Sequence, residues 1–333
     1  MAYDGKIMRR ALQRFDEDKH QRQDRFNARR ENIFRRQPRL QEIDAELRST
    51  MSRIIAGALR RGTDPRPAVE ILRDENLSLQ AEKRRLLEEM GLPEDCLEEK
   101  PACPLCGDTG YRGGTVCRCL RDYYAREQQK ELSRMLDLGS QSFETFSLKW
   151  YSDADDAGLG ISPRENMDWV YRTCKRYAAQ FHPEKSGNLL LTGDPGLGKT
   201  FLSAAIAREV SSEGYSVVYD TASRIFDRFE AAKFGREEGA EDDVSRIMNC
   251  DLLILDDLGT EMTTAFVQSA LYQIINGRIL EHRPTILSTN LKIDERNNEI
   301  ARRYSPQIAS RIEGEYQIMP FFGKDIRLLK KEV

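Results

Sequence analysis

The chain has 333 residues, of which 32% are charged and 39% hydrophobic, and its formal net charge is −3. This length is enough for about two domains. No stretch approaches the ~18–20 apolar residues of a membrane span, and no apolar leader opens the chain. Seven cysteines are also too few for a disulfide scaffold. The composition therefore excludes an integral membrane protein and a small secreted scaffold, and we expect a cytoplasmic protein.

The amino-terminal part of the chain is basic and helical in pattern. Residues 1–60 contain 15 Lys and Arg against 9 Asp and Glu, whereas the remainder has a net charge of −9. A basic segment of this kind favours a nucleic acid or an acidic protein as partner, although a helix face exposed to solvent explains the charge equally well. Residues 6–37 predict a helix with few apolar positions, frayed or thinly packed in the absence of a partner.

Two further helices are expected between Pro38 and Met90, where apolar residues recur at intervals of three and four. The stretch Gly62-Thr63-Asp64-Pro65 separates them, and Thr63 or Asp64 is a candidate cap for the second helix. Asn76 and Lys83 occupy positions in the second helix where a coiled coil needs apolar residues. The pattern therefore favours a short antiparallel helical hairpin over a long coiled coil.

Four cysteines follow within 17 positions. Cys103 and Cys106 form a C-x₂-C turn, and Cys117 and Cys119 form a C-x-C pair. Four thiolates are a complete ligand set for tetrahedral Zn²⁺, with no open position for catalysis. We therefore predict a structural zinc module in which metal binding supplies most of the folding energy. Reduced, buried cysteines are the alternative.

The remainder of the chain has an α/β pattern. Residues 121–138 predict a helix, 153–161 a loop, and Ser162-Pro163-Arg164-Glu165 a capped helix start. Short apolar runs then alternate with helical stretches, at 188–191, 216–219, 252–255, 285–288 and 317–321. This alternation is typical of a parallel sheet covered by helices on both faces.

We accordingly predict four segments along the chain. They are a helical region (1–100), a zinc-binding module (101–120), a connecting helix and linker (121–160) and an α/β domain (161–333).

A glycine-rich loop joins the first predicted strand to a helix. Residues 193–200 read Gly-Asp-Pro-Gly-Leu-Gly-Lys-Thr and fit G-x-x-x-x-G-K-[ST] in its required strand–loop–helix setting. Backbone N–H groups of such a loop surround a polyphosphate, its lysine reaches the β- and γ-phosphates, and its threonine ligates Mg²⁺. The residues expected to bind ATP are Gly193, Asp194, Pro195, Gly196, Leu197, Gly198, Lys199, Thr200 and Phe201.

Polar residues end two later strands. Leu252–Leu255 is a buried strand followed by Asp256 and Asp257, whose carboxylates are expected beside the phosphates. We assign Asp256 to Mg²⁺, typically through water, and Asp257 to polarising the attacking water. Because Asp is shorter than Glu, slow turnover is a hypothesis. Asn290 ends the strand 284–289 and is a candidate for orienting that water.

The order of these motifs resembles that of AAA+ ATPases, and their details resemble the DnaC/DnaI-type helicase-loader family and its IstB-like transposition relatives. The resemblance is specific over about residues 101–330 and only compositional over 1–100. The residues that carry it are Gly193–Thr200, Leu252–Glu261, Ser288–Leu291, Ser310–Ile312, Gly323–Arg327 and, upstream, Phe143–Phe146.

The resemblance implies a role for two arginines. Arg311 would be a finger that enters the ATP site of a neighbouring subunit, and Arg327 a sensor that reaches the γ-phosphate. A guanidinium offsets charge on the transferring phosphoryl group, and only an assembled neighbour supplies one in trans. The C-terminal segment that carries Arg327 is short compared with the family pattern.

The resemblance also implies a function. The protein would bind ATP, Mg²⁺ and single-stranded DNA, assemble into an oligomer with ATP, and deliver a replicative helicase to DNA. Residues 223–236 mix basic and aromatic side chains, which is the composition of a groove that binds single-stranded DNA. Within this segment we expect Ile225, Phe226 and Phe229 to belong to the core, and the arginines and Lys233 to contact phosphates. The alternatives are an IstB-like ATPase that assists a transposase and a nucleotide-gated adaptor with little hydrolysis.

Overall fold

The computed structural model describes residues 3–58, 66–136, 141–154, 160–236, 239–294 and 297–331. The chain forms two compact units, one comprising Met1–Gln13 with Arg118–Val333 and the other Arg14–Cys117. The four segments predicted from the sequence stay a prediction. Within the described residues, no helix is long and apolar enough to cross a membrane.

The Arg14–Cys117 unit is mainly helical. It contains most of α1 (Gly5–Arg36), together with α2 (Pro38–Ala58), α3 (Arg66–Glu89) and a small hairpin of β1 (Tyr111–Arg112) and β2 (Thr115–Val116). The helices α2 and α3 pack against each other, as the hairpin prediction required. The candidate caps Thr63 and Asp64 lie outside the described residues. The core consists of Ile33, Leu40, Ile43, Leu86, Leu87 and Leu97.

Helix α1 is long but thinly packed, as its polar sequence predicted. Only Ile7, Ala11, Phe15 and Ile33 are buried along its 32 residues. Its first turn is capped by Asp4, whose carboxylate accepts from the Ile7 amide at 2.9 Å. The same carboxylate pairs with Arg246 at 2.7 Å, which fixes the start of the chain to the α/β unit.

The other unit contains a five-stranded parallel sheet in the order β4-β5-β6-β3-β9. The predicted fold class, an α/β domain with an additional helical region that contains a cysteine cluster, is confirmed. Its elements are α4 (Arg118–Leu136), α5 (Pro163–Ala179), β3 (Asn188–Gly193), α6 (Lys199–Ser212), β4 (Val217–Thr221), α7 (Ala222–Phe234), α8 (Ala240–Asn249), β5 (Leu252–Leu258), α9 (Ala265–Leu280), β6 (Thr285–Thr289), β7 (Ile293–Asp294), β8 (Asn297–Asn298), α10 (Glu299–Arg303), α11 (Pro306–Glu315), β9 (Tyr316–Phe321) and α12 (Ile326–Leu329).

The sheet separates two apolar cores. Leu189 and Leu191 of β3 face one core, with α5 and α6, while Leu190 faces the other, with α7, α9 and α11. Alternate residues of a strand point to opposite faces, so a strand covered on both sides needs an unbroken apolar run. The predicted cap of α5 is also present, because Ser162 and Glu165 exchange side chain–backbone hydrogen bonds.

Arg278 of α9 is fully buried and ties the starts of neighbouring strands together. Its guanidinium donates to the Pro284 carbonyl at 2.7 Å, to the Thr285 hydroxyl at 2.9 Å and to the Cys250 carbonyl at 3.1 Å. A buried cation is costly unless its donors are satisfied. These bonds hold β5 and β6 in place from the edge opposite the glycine loop.

Candidate nucleotide-binding site

The glycine loop leaves β3 at the carboxyl edge of the sheet and enters α6. Gly193 has φ 145° and lies so close to β9 that an added Cβ would be 2.0 Å from the Phe321 carbonyl oxygen. Gly198, with φ 93°, begins α6, and a Cβ there would meet the Tyr151 hydroxyl at 2.9 Å. Glycine is required at such positions because other residues rarely adopt a positive φ. The loop amides and the α6 N-terminus therefore form a cradle suited to an anion.

Lys199 is buried at the centre of this loop. Its ammonium donates to the carbonyl oxygens of Gly193 at 2.6 Å and Asp194 at 2.8 Å, and to Oδ1 of Asn290 at 2.7 Å. Burial lowers its pKa, while the nearby Asp257 and Asp256 carboxylates oppose that shift. The bond to Asn290 brings the predicted lysine and the predicted strand-end amide together.

Asp256 and Asp257 have different surroundings. Asp256 is buried and accepts from the Tyr219 hydroxyl at 2.7 Å and from the Asp257 amide at 3.1 Å. Asp257 is half-buried, and both burial and its neighbour Asp256 raise its pKa. Its φ of 53° is unusual for a residue other than glycine and coincides with the irregularity between Leu255 and Leu258, where the pairing of β5 with β6 shifts register. Asp257 consequently faces the cavity described below, while Asp256 lies behind it.

Hydrogen bonds between strand ends fix the relative positions of these groups. Thr192 of β3 donates to the Leu291 carbonyl at 2.7 Å, and Thr289 of β6 donates to the Leu258 carbonyl at 2.6 Å. These bonds connect the segments that carry Lys199, Asp257 and Asn290.

A cavity of about 640 Å³ opens over the loop. One end is polar and contains Lys199, Thr200, Asp257 and Asn290, and the other is formed by aromatic and aliphatic side chains. Its lining residues are Gln141, Thr145, Phe146, Ser147, Trp150, Tyr151, Pro195, Gly196, Leu197, Gly198, Lys199, Thr200, Phe201, Asp257, Thr260, Asn290, Ile326, Arg327 and Lys330. This shape suits a ligand that has a phosphate chain and a flat ring.

Sequence reasoning missed the aromatic end of the cavity. Phe146 stacks on Tyr171 and lies 5.5 Å, between ring centroids, from Phe201. Trp150 has the Lys149 ammonium 4.8 Å and the Lys330 ammonium 5.6 Å from its ring centroid. Part of the signal was present in Phe143–Phe146, which is one of the segments that carry the family resemblance.

The predicted finger Arg311 and the predicted sensor Arg327 lie in different places. Arg327 of α12 lines the cavity, and its positive charge lowers the pKa of both Lys199 and Asp257. Arg311 of α11 is not among the described residues that line it. Its guanidinium lies 4.7 Å above the Tyr272 ring and donates to the Tyr272 hydroxyl and to Oδ1 of Asn276, each at 2.8 Å.

The segment 223–236 is largely the helix α7. Ile225, Phe226 and Phe229 are buried, which confirms that these three residues are core. Arg228 pairs with Asp220 at 2.6 Å. Phe234 is 57% exposed and lies beside both Lys233 and Arg236. The exposed end of α7 thus combines one aromatic ring with two cations.

The four predicted cysteine ligands converge. The sulfur atoms of Cys103, Cys106, Cys117 and Cys119 all lie within 4.8 Å of one another, and those of Cys103 and Cys117 are 3.8 Å apart. A tetrahedron with Zn–S bonds of ~2.3 Å has S–S edges of about 3.8 Å. The Asp108 carboxylate accepts from the Cys103 amide at 2.8 Å and braces the first turn. The cluster is compatible with zinc binding.

Comparison with known proteins agrees with this geometry. Residues 166–327 match the family model described as IstB-like ATP-binding protein. The matched residues make up a little less than half of the chain. The replicative helicase loader DnaC of Escherichia coli K12 is 29% identical over 129 residues, which are 38% of this chain and 53% of DnaC. The match therefore spans about half the length of that relative.

Further matches include a second curated relative and a solved structure. A putative insertion-sequence ATP-binding protein of Sinorhizobium fredii is 32% identical over 113 residues, covering 34% of this chain and 37% of that protein. Among solved structures, the crystal structure of the DnaC helicase loader has a TM-score of 0.46 and 18% identity, covering 56% of this chain and 99% of that one.

The close approach at Gly193 generates a prediction. Gly193→Ala should destabilise the protein by about 2 kcal/mol or more, because the new Cβ meets backbone and φ is strained. It should also weaken nucleotide binding, since the loop has to move. Gly187→Ala is the matched control, because a Cβ at that position meets nothing within 4 Å. Urea denaturation measures the difference, and equal stability of the two variants would show that the loop tolerates a side chain.

Proposed function

We propose that this protein is an ATP-dependent helicase loader, which uses ATP and Mg²⁺ to control the delivery of a replicative helicase to single-stranded DNA in the cytoplasm. The observation that carries the proposal is the convergence of Lys199, Asp257 and Asn290 on one glycine-loop cavity. The matches to DnaC and to the IstB-like family support it.

Each polar group of the cavity has a role in this proposal. The loop amides and Lys199 bind the phosphates, after Lys199 exchanges at least one of its present oxygen partners for a phosphate oxygen. Thr200 and Asp256, the latter through water, hold Mg²⁺, which neutralises charge on the β- and γ-phosphates. Asp257 polarises the attacking water and Asn290 orients it.

The aromatic end of the cavity is the proposed site of the adenine ring. Trp150, Phe146 and Ile326 line the cavity, and Phe146 lies next to the loop, since a Cβ at Gly198 would be 3.6 Å from its ring. Stacking on aromatic rings recognises a base through its face. Arg327 and Lys330 at the rim add positive charge near the phosphate chain.

Assembly is the proposed means of control. Arg311 is held on α11 by Tyr272 and Asn276 of α9, so its guanidinium has a defined position away from the cavity of its own chain. In an ATP-bound oligomer, a neighbour's Arg311 would complete the site and offset charge on the transferring phosphoryl group. This arrangement gives slow hydrolysis in the monomer and faster hydrolysis in the assembly with DNA and helicase.

The proposed partner surface lies in the helical unit. A groove of about 1300 Å³ there is lined by basic residues of α1, including Lys19, Arg25 and Arg29, and by the apolar Phe26 and Leu92. Six basic and four acidic side chains surround the apolar floor, and this excess of positive charge suits an acidic protein surface. We assign this groove to the helicase and the exposed end of α7, with Lys233, Phe234 and Arg236, to single-stranded DNA.

Two alternatives share the same ATP site. The insertion-sequence relative favours an ATPase that assists a transposase. The short Asp257 favours a nucleotide-gated adaptor with little hydrolysis. Identification of the bound partner distinguishes the first alternative, and single-turnover hydrolysis with DNA and partner distinguishes the second.

The cysteine cluster generates a zinc prediction. The purified chain should contain one Zn²⁺, and Cys103→Ser should lose it and unfold the segment 101–120, because the metal supplies most of that segment's folding energy. Cys174→Ser is the control, since Cys174 is buried in the α/β core away from the cluster. Elemental analysis gives the zinc content, and a wild-type protein free of zinc after metal-replete purification would contradict the prediction.

Arg311 generates a prediction about assembly. Arg311→Ala should bind ATP with unchanged affinity but lose the increase in hydrolysis that accompanies oligomer formation. Arg302→Ala, an exposed arginine of α10, is the control. Mixing Arg311→Ala with a Lys199→Ala variant provides a second readout, because only a finger acting in trans restores hydrolysis at the intact sites. Full assembly-dependent activity of Arg311→Ala would exclude this role.

The function itself is tested by co-purification with a replicative helicase, with and without ATP. The wild-type chain should retain the helicase, and reversing the charge of Arg25 and Arg29 to Glu should release it. Arg84→Glu, an exposed arginine of α3 outside the groove, should not. Retention of a transposase instead of a helicase would establish the first alternative.

A further inference from the structure

The turn at the end of β5 is held by the side chain of Glu261. Gly259 has φ 104°, and its amide donates to Oε2 of Glu261 at 3.0 Å. Within the same turn, the Thr260 hydroxyl donates to the Asp257 carbonyl at 2.9 Å. The carboxylate of Glu261 thus closes the turn whose first residue, Asp257, has the left-handed conformation that turns it toward the cavity.

Glu261 is itself held from the other side. It is only 8% exposed, and its second carboxylate oxygen accepts from the Tyr304 hydroxyl, while the Arg303 guanidinium donates to its backbone carbonyl. Tyr304 is 3% exposed. Its burial is the larger cause of its raised pKa, and its hydrogen bond to Glu261 raises the pKa further. A carboxylate is buried at a cost unless hydrogen bonds satisfy it. Its position here is therefore tightly specified.

The partner side of this bond belongs to the helices that carry Arg311. Tyr304 ends α10, and the next residue, Ser305, caps α11 by accepting from the Ile308 amide at 3.2 Å. Arg311 lies in the second turn of α11. The buried hydrogen bond from Tyr304, together with the one from Arg303, thus joins the turn of Asp257 to the helix pair of the proposed finger.

We propose that Glu261 and Tyr304 form a positioning pair, which holds Asp257 in its hydrolytic orientation and ties that orientation to the placement of α10 and α11. The proposal rests on the ATPase function proposed above. Neither residue lines the cavity, so both act through the turn rather than on the nucleotide. Movement of α11 as a neighbour engages Arg311 is transmitted through this bond to the residue that activates water.

The test compares Tyr304→Phe, Glu261→Gln and the double variant in the full-length chain. Tyr316→Phe is the matched control, because Tyr316 is buried in the same apolar core but belongs to β9. Each single variant should lower kcat about tenfold while KM for ATP stays within about twofold, since orientation and not binding is lost. The double variant should be no worse than the poorer single variant, because both changes remove one interaction.

A second readout is independent of hydrolysis. Amide exchange at Gly259 should accelerate about tenfold in both single variants, since its acceptor is lost or displaced, while Tyr316→Phe leaves it unchanged. Wild-type kcat together with wild-type Gly259 protection would overturn the proposal. The proposal would also be overturned if the single variants lost kcat, nucleotide affinity and melting temperature together and the control Tyr316→Phe showed the same losses. If the wild type fails to hydrolyse ATP under every condition, the ATPase function fails, and exchange at Gly259 alone decides whether the pair holds the turn.

Discussion

Three oxygen atoms hold the Lys199 ammonium at the carboxyl edge of the sheet, and most of the site depends on that arrangement. Two belong to the glycine loop and the third to Asn290, so one cation joins β3 to β6. A buried ammonium needs all of these partners, or oxygens that replace them. Phosphate oxygens are such replacements, so the constraint that fixes Lys199 also suits the site to the polyphosphate of the proposed function.

The surrounding fold supplies this constraint from several directions. Hydrogen bonds from Thr192 and Thr289 fix the carboxyl ends of β3 and β6, and the buried Arg278 makes hydrogen bonds at the opposite edge of the sheet. In addition, β9 lies so close to Gly193 that no side chain fits there. The catalytic turn between β5 and α9 is held separately, through Glu261. In the proposed mechanism, nucleotide binding and hydrolysis are therefore positioned by different parts of the α/β unit, as a nucleotide-controlled partner switch would require.

Much of this was predictable because the signals are local in sequence. The five strands are short apolar runs, the glycine loop and Asp256–Asp257 are motifs with a fixed spacing, and the cysteines have ligand spacing. The residues that sequence reasoning missed act over long distances. Trp150 comes to the cavity from a segment 49 positions before Lys199, and Tyr304 meets Glu261 from 43 positions away. Arg278 appears in sequence as an ordinary helical arginine, and only the packed fold shows its buried carbonyl partners.

Calorimetric titration of the zinc-loaded chain with ATP and Mg²⁺ tests the central claim most directly. One nucleotide should bind per chain, and Lys199→Ala should weaken that binding by roughly 100-fold or more, since a charge-assisted contact to phosphate is lost. Lys185→Ala, an exposed lysine in the turn before β3, should bind as the wild type does. A folded wild-type chain that takes up no adenine nucleotide, or a Lys199→Ala variant with unchanged affinity, would contradict the account.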